Sequence, residues 1–111
     1  MAGRIKNQGS NWIWKPTRLR IYARDHHACQ YCGRDIADPR VRLSLDHVVP
    51  CELGGENEPT NLVTCCISCN SAKRDFPLGE FLAHLGDLGQ DPELVARRVR
   101  NARRRRLPTG G

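Results

Sequence analysis

The chain has 111 residues, of which 39% are hydrophobic, 5% aromatic and 27% charged. This length excludes two full domains, and the small apolar fraction predicts a thin core that needs an additional staple, such as a metal ion or disulfides. The net charge of +6 is uneven, because 13 of the 18 basic residues lie in residues 1–24 and 97–106, whereas residues 25–96 carry twelve acids and five bases. Basic ends around an acidic centre are typical of proteins that bind a polyanion such as DNA; the alternative is a charge run that serves solubility.

The compartment bears on how the six cysteines are used. Residues 1–24 contain no apolar stretch of a secretory signal, and no segment is apolar over the length of a bilayer. We therefore expect a cytoplasmic protein without membrane contact, in which metal binding is favoured over disulfides.

The N-terminal residues are predicted to form a basic arm, over residues 1–16, without regular periodicity. Trp12 and Trp14 of this arm are expected to pack over the core, with stacking on nucleic-acid bases as the alternative. Apolar residues at helical spacing after a proline then predict a short helix over residues 17–26.

The middle of the chain is predicted to form a hairpin. Alternating apolar and polar residues from position 41 predict a strand that leads to the pair Asp46-His47, and Pro50 ends it. Residues 53–59 are rich in turn formers, and the β-prone residues 62–65 predict the second strand.

Three helical segments are predicted after the hairpin. Residues 66–73 fit a turn that leads into a helix, and residues 78–85 form an amphipathic helix that Gly86 and Gly89 are expected to end. A further helix is predicted from residue 92 towards residue 106, with Asp91 as its N-cap.

Two C-x2-C pairs have the spacing at which four thiolates converge on one zinc ion. The predicted ligands are Cys29, Cys32, Cys66 and Cys69. Gly33 suits the first knuckle because glycine tolerates a positive φ. Two unrelated or redox pairs are the alternative. Cys65 is expected to be a small buried hydrophobe and Cys51 a free thiol in a loop.

The two pairs are separated by 33 residues, more than the roughly 15 to 20 of a zinc ribbon. This insertion contains Asp46, His47 and Asn61, and Asn70 directly follows the last cysteine of the second pair. Carboxylate and amide oxygens suit Mg²⁺ or Mn²⁺, and His47 is a suitable base. Because neighbours on a strand point to opposite faces, Asp46 and His47 need a kink or a strand end to act together.

Six motifs occur in order between residues 18 and 74: Cys29-x2-Cys32, Asp46-His47-x2-Pro50, Gly54-Gly55, Asn61-Leu62, Cys66-x2-Cys69-Asn70 and Lys73. This series resembles the HNH endonuclease family, in particular its zinc-bearing phage type. At Asn70, where many members have histidine, it resembles the variant shared with endonuclease VII. The resemblance implies an α+β protein with a small ββα-metal (HNH, His-Me finger) fold, stapled by a four-cysteine zinc site, with flanking helices.

The resemblance also implies the roles of the site residues. His47 would be the general base that activates water, and Asn61 would orient His47 and brace the loop. Asp46 and Asn70 would hold one catalytic Mg²⁺ or Mn²⁺ ion, with other divalent ions such as Ni²⁺ also open, while zinc would be structural. Cleavage is expected to leave a 5′ phosphate.

The predicted organisation is a basic arm (1–16), a nuclease domain with zinc knuckles (17–86) and a basic C-terminal helix and tail (87–111). Phosphate contacts are expected from Arg18, Arg20, Lys73, Arg74, Arg103, Arg104, Arg105 and Arg106. For Lys73 and Arg74, ordinary surface charge is an equal alternative.

The predicted function is metal-dependent hydrolysis of DNA, by nicking or double-strand cleavage, in a monomer or dimer. The resemblance suggests a phage-encoded protein that acts in a bacterial host beside a packaging terminase. The alternative is a non-catalytic zinc-stabilised module that binds nucleic acid, which would not need Asp46, His47, Asn61 or Asn70. A zinc-stapled adaptor for acidic proteins ranks last.

Overall fold

The computed structural model describes residues 13–74 and 76–108. In chain order, these residues form α1 (Lys15–Arg24), β1 (Leu43–His47), β2 (Leu62–Cys66), α2 (Ile67–Lys73), α3 (Leu78–Asp87) and α4 (Pro92–Arg104). Two short 3-10 turns, Cys51–Leu53 and Pro59–Asn61, lie in the loop between the strands. The predicted α+β class is confirmed, and so is each predicted helix and strand.

The hairpin is antiparallel, with Leu43 opposite Cys66 and His47 opposite Leu62. This register places Asp46 opposite Val63, so their side chains share one face, while His47 lies on the other face. The alternation expected for Asp46 and His47 is therefore present in the strand.

Both faces of the hairpin are covered. On one face, Leu45 and Leu62 pack with Ile21 of α1. The other face belongs to a larger cluster that includes the first cysteine knuckle, α3 and α4. Its buried members are Cys29, Tyr31, Val48, Val63, Cys65, Cys66, Phe81, Leu85, Val95, Val99 and Ala102. Because α4 supplies three of these residues, it is part of the core. The predicted boundary between a nuclease domain (17–86) and a C-terminal helix and tail (87–111) stays a prediction.

The first helix begins and ends two residues earlier than predicted. Pro16 fits its first turn, where the missing N–H costs no hydrogen bond. His26 and His27 have φ values of 61° and 54°, which a right-handed helix cannot include. Asp25 instead turns back to the hairpin, where its Oδ2 accepts a hydrogen bond from the Thr64 N–H at 2.9 Å.

The later helices differ from prediction at their ends. Gly86 lies inside α3, so its predicted role as a helix terminator is wrong, whereas Gly89, with φ +88°, follows the helix. The Asp91 carboxylate caps α4 as predicted. That helix ends at Arg104 instead of residue 106, because Arg105 is extended.

Trp14 is 72% exposed, so the prediction that it packs over the core is wrong. The companion prediction for Trp12 lies outside the described residues, as does most of the arm. None of the helices in the described ranges is long and apolar enough to cross a membrane.

Candidate metal and nuclease site

The two knuckles bring four thiols together. The Sγ atoms of Cys29, Cys32, Cys66 and Cys69 all lie within 4.8 Å of one another. The Cys32 and Cys66 sulfurs are 3.9 Å apart, and a tetrahedral zinc site with Zn–S bonds of about 2.3 Å requires sulfur separations of about 3.8 Å. The donor set therefore fits the predicted four-cysteine zinc site.

Backbone N–H groups face the sulfurs in both knuckles. Cys29 Sγ accepts from the N–H of Tyr31 at 3.4 Å and of Cys32 at 3.3 Å, and Cys66 Sγ accepts from the N–H of Cys69 at 3.4 Å. Gly33 has φ +88°, as its predicted role requires. These N–H groups favour thiolate ligands, because they place partial positive charge beside the sulfurs.

The two thiols of the first knuckle, Cys29 and Cys32, resist ionisation without a bound cation. Hydrogen bonding with the Cys29 thiol, together with burial, raises the pKa of Cys32 to about 12. For Cys29, hydrogen bonding with Cys32 lowers the pKa, but hydrogen bonding with Cys69 and burial outweigh it and give a pKa of about 11. Metal binding must therefore displace thiol protons, as it does in zinc-dependent domains.

The other two cysteines lie where the sequence predicts. Cys65 is fully buried in the larger core cluster, and Cys51 is an exposed thiol in the loop between the strands. The Cys51 sulfur lies 3.5 Å from Nε2 of His47, a proximity that no spacing rule indicates.

A buried carboxylate occupies the face of β1 that meets α2. Asp46 is 2% exposed, and its Oδ2 accepts from the hydroxyl of Tyr31 at 2.6 Å and from Nζ of Lys73 at 2.9 Å. Burial raises the pKa of Asp46, and the Lys73 ammonium and the Tyr31 hydroxyl act in the opposite direction. Burial and the adjacent carboxyl raise the pKa of Tyr31 well above its usual value, so its hydroxyl stays protonated and donates.

Asn70 lies one helical turn before Lys73 on the same helix. Its Nδ2 donates to Oγ of Ser44 at 3.2 Å, and Ser44 precedes Asp46 by two strand positions, on the same face. The structure thus brings Asp46 and Asn70 to one strand–helix interface. Both contacts of the Asp46 carboxylate described above end on Oδ2, which leaves Oδ1 as the oxygen that could bind a cation. This pair fits a hard divalent ion.

His47 lies at the end of β1 and is 3% exposed. Its Nε2 is 2.5 Å from Oδ1 of Asn57, a contact that sequence reasoning missed. Asn57 belongs to the irregular loop and has no periodic relation to the strand. The only sequence cue is that this loop returns the chain to the strand end that carries His47.

Asn61 binds the loop together, as the bracing part of its predicted role requires. Its Nδ2 donates to the carbonyls of Val49 and Glu56 at 3.0 Å each, and its Oδ1 accepts from the Val49 N–H at 2.9 Å. The Asn61 backbone carbonyl also accepts from the Val48 N–H at 2.9 Å, so Asn61 fixes the two residues that follow His47. The amide oxygen that meets the His47 ring belongs to Asn57.

The burial of Lys73 contradicts both predictions made for this residue, phosphate contact and ordinary surface charge. Its side chain is 0% exposed, so it is neither a phosphate contact on the surface nor an ordinary surface charge. In addition to Asp46, its Nζ binds the backbone carbonyl of His47 at 2.9 Å. Arg74, the next residue, is exposed with φ 56°.

Two cavities with arginine walls open on the surface. One, of about 420 Å³, is lined by Thr60, Arg100, Arg103 and Arg104. The other, of about 180 Å³, lies near the second knuckle, and its walls include Arg34, Arg40, Arg42 and Ser68. The arginines of the second cavity were not predicted as contacts, because they lie in the part of the sequence that is acidic overall.

Comparisons with known proteins identify a family that this chain matches. A family profile described as HNH endonuclease matches residues 29–85, more than half of the chain. Among solved structures, the chain is similar to the Type II-C Cas9 enzyme from Actinomyces naeslundii, at 25% identity and a TM-score of 0.48. That match covers 86% of this chain but only 12% of the Cas9 chain. No curated protein matches the chain.

Proposed function

The chain belongs to the HNH endonuclease family, and we propose that it hydrolyses phosphodiester bonds in DNA with the help of a divalent metal ion. The observation that carries this proposal is the arrangement around the end of β1. There a buried carboxylate and an amide, Asp46 and Asn70, line one strand–helix interface, and His47 follows directly on the strand. A module that only binds nucleic acid has no need for this set.

His47 is the proposed general base. Oδ1 of Asn57 can only accept a hydrogen bond, so Nε2 of the neutral ring carries the proton and Nδ1 has the lone pair. Nδ1 is buried, so it would take the proton of the attacking water only once that water reaches it, while Asn57 holds the ring. Asn61 keeps the following backbone in place through Val49.

Two metal sites with different chemistry support the reaction. Asp46 and Asn70 would hold Mg²⁺ or Mn²⁺, which supplies positive charge for the phosphate and for the leaving 3′ oxygen, so the product carries a 5′ phosphate. The four knuckle cysteines would hold zinc in a closed site that has no open position for a substrate.

DNA would bind through its phosphates. Three arginines line the 420 Å³ cavity beside α4, and Arg20, Arg74 and Arg106 are exposed elsewhere on the surface. Arg103 and Arg105 also bind the fold, because they donate to the carbonyls of Thr60 at 2.6 Å and Arg24 at 3.4 Å. Lys73 is left out of this surface because it is buried.

The biological setting of the proposal rests on resemblance alone. Similarity to the zinc-bearing phage type of the family favours a phage origin, action beside a packaging terminase and a place in the host cytoplasm. A double-strand cut by one active site would require a dimer or two successive nicks.

The proposal is tested on supercoiled plasmid with the zinc-loaded protein, in Mg²⁺, in Mn²⁺ and in EDTA. We expect the wild type to nick or linearise the plasmid only with a divalent ion, and His47→Ala to lose at least about a hundredfold in rate. His84→Ala, which changes an exposed histidine on α3, is the matched control and should cut like the wild type.

Equal cleavage by wild type and His47→Ala, with both holding zinc, would remove His47 from the mechanism. Salt-sensitive DNA binding without cleavage in either ion would instead favour the non-catalytic zinc module.

A further inference from the structure

Tyr31 connects the first zinc knuckle to the carboxylate of Asp46. It lies between Cys29 and Cys32, and its own N–H donates to the Cys29 sulfur at 3.4 Å. Its hydroxyl donates to Oδ2 of Asp46 at 2.6 Å. One side chain thus spans from the zinc ligands to the proposed ligand of the catalytic ion.

Lys73, the last residue of α2, binds the same carboxylate. Its ammonium is 2.9 Å from Oδ2 of Asp46 and 2.9 Å from the backbone carbonyl of His47. A lysine is almost never fully buried unless it is paired, and both of these contacts lie at the end of the strand that carries the proposed site. Tyr31 and Lys73 therefore converge on one oxygen atom of Asp46.

We propose that Tyr31 and Lys73 are positioning residues that tie Oδ2 of Asp46 and leave only Oδ1 to face the catalytic ion. The zinc knuckle then does more than staple the fold, because through Tyr31 it sets the orientation of the catalytic carboxylate. This inference rests on the proposed function, since it concerns the ion that Asp46 would hold there.

The hydroxyl of Tyr31 can be separated from its ring. The ring packs edge-on against Phe81, with centroids 5.0 Å apart, and this contact belongs to the core. Tyr31→Phe keeps the ring and removes only the donor to Asp46. A purely structural role for Tyr31 predicts that this variant changes stability and leaves metal affinity unchanged.

The test measures Mn²⁺ affinity by electron paramagnetic resonance titration of the zinc-loaded protein, together with zinc content and plasmid cleavage. Because loss of a hydrogen-bond partner behind a metal ligand typically costs roughly tenfold to a hundredfold in metal affinity or activity, we expect that loss in Tyr31→Phe, with one zinc retained. Tyr22→Phe is the matched control, since the Tyr22 hydroxyl donates to the Leu43 carbonyl at 3.4 Å, away from the carboxylate. It should bind Mn²⁺ like the wild type.

The outcomes separate this inference from the proposed function. Unchanged Mn²⁺ affinity and cleavage in Tyr31→Phe, or loss of its zinc, would overturn the positioning role while wild-type cleavage still supports the nuclease. If Tyr31→Phe bound Mn²⁺ more weakly than the wild type, and the wild type itself cut no DNA, the positioning role would be supported and the proposed activity removed.

A second pair of variants tests Lys73 alone. Lys73→Arg keeps a cation beside Asp46, and Lys73→Met removes it while filling similar space. We expect Mn²⁺ affinity and cleavage to fall at least about tenfold further in Lys73→Met than in Lys73→Arg. Equal losses in the two variants, or a Lys73→Met protein that does not fold, would overturn the positioning role of Lys73.

Discussion

Charged side chains are buried on both faces of the hairpin, and their contacts differ between the two faces. On the α1 face, Arg24 pairs with Asp25 at 2.7 Å and donates to the carbonyls of Pro59 and Leu62. These bonds tie the helix to the hairpin. On the α2 face, Lys73 pairs with Asp46, the residue that we propose as a ligand of the catalytic ion. Burial of a charge is tolerated in both places because each charge has a partner and further hydrogen bonds.

Asn57 contacts the proposed general base, although the sequence did not indicate it. We expect Asn57→Ala to lower the cleavage rate about tenfold to a hundredfold, because the His47 ring loses the 2.5 Å contact that sets its orientation. Initial rates on plasmid at saturating Mn²⁺ measure the effect, and the zinc content should not change. Asn101→Ala, at an exposed position of α4, is the control. A wild-type rate in Asn57→Ala would mean that another group orients the ring.

Local patterns in the sequence predict most of the site, and long-range contacts account for what they miss. The C-x2-C spacing predicts the knuckles because the ligands of each pair are three residues apart. The burial of Lys73 is hidden, because it depends on how α2 packs on β1, and lysine is ordinarily exposed. Asn57 is missed for a similar reason, since an irregular loop gives no periodicity by which its side chain could be placed.

At the scale of elements, the loop between the strands is built around a close approach at Gly55. A Cβ there would lie 1.7 Å from the carbonyl oxygen of Val49 and 2.8 Å from Nδ2 of Asn61. Gly55 of the Gly54-Gly55 motif therefore has a direct steric reason, whereas glycine suits position 54 because φ there is +95°. Gly55 leaves room for the hydrogen bonds by which Asn61 holds the chain after His47.

Gly55→Ala should therefore separate Val49 from Asn61. We expect it to lower the free energy of unfolding by roughly 1–3 kcal/mol or more and to abolish most cleavage, because backbone atoms must move to admit the methyl group. Urea unfolding followed by circular dichroism measures the first effect. Gly79→Ala, where a Cβ on α3 meets nothing within 4 Å, should be neutral or slightly stabilising. Equal stability of both variants would show that the loop adapts without cost.

The element boundaries show where sequence patterns stop being informative. Apolar spacing locates α1, but its end is set by the left-handed backbone at His26 and His27, which returns the chain towards the hairpin. Gly86 continues α3, because the weak helix propensity of glycine does not by itself end a helix. In contrast, the Asp91 cap and the following proline are local signals, and the start of α4 is predicted correctly.

At the scale of the whole molecule, the cysteine cluster joins parts of the chain that are far apart in sequence. The first knuckle contacts α4, where Arg98 donates to the carbonyls of Gln30 and Tyr31 at 3.4 and 3.1 Å. The second knuckle leads from β2 into α2. A metal ion in the cluster would thus connect the hairpin, α2 and α4, which otherwise share only a small core.

Removal of the metal should therefore unfold the domain. Apparent binding free energies of structural zinc reach about 10–16 kcal/mol, more than a small core can replace. We expect 1,10-phenanthroline to release one zinc per chain and to abolish the cooperative thermal transition, and Cys69→Ser to have the same effect. Cys51→Ser, which changes the exposed thiol, should keep zinc and stability. If the chelated protein kept an unchanged thermal transition, the metal cluster would not be needed for folding.

The C-terminal helix has a buried side and a side that carries arginines. Val95, Val99 and Ala102 are buried in the core, so the helix cannot rotate. Its outer side consequently presents Arg100 and Arg104, four residues apart, in a fixed position on the cavity beside Thr60. Such a placement suits neighbouring phosphates of one strand better than a flexible basic tail would.

The salt dependence of DNA binding distinguishes this fixed surface from general attraction. Each phosphate contact contributes about 0.9 to the slope of log K against log salt, so Arg100→Ala with Arg104→Ala should reduce the slope by about 1.8. Arg97→Ala removes an exposed charge from the same helix outside the cavity and should change the slope far less. Fluorescence anisotropy with a duplex, on the zinc-loaded protein without added Mg²⁺ or Mn²⁺ so that cleavage is prevented, gives the slopes. A specific phosphate site depends on which arginine is removed. If Arg97→Ala reduced the slope as much as each of the Arg100 and Arg104 substitutions does, the helix would attract DNA by net charge alone.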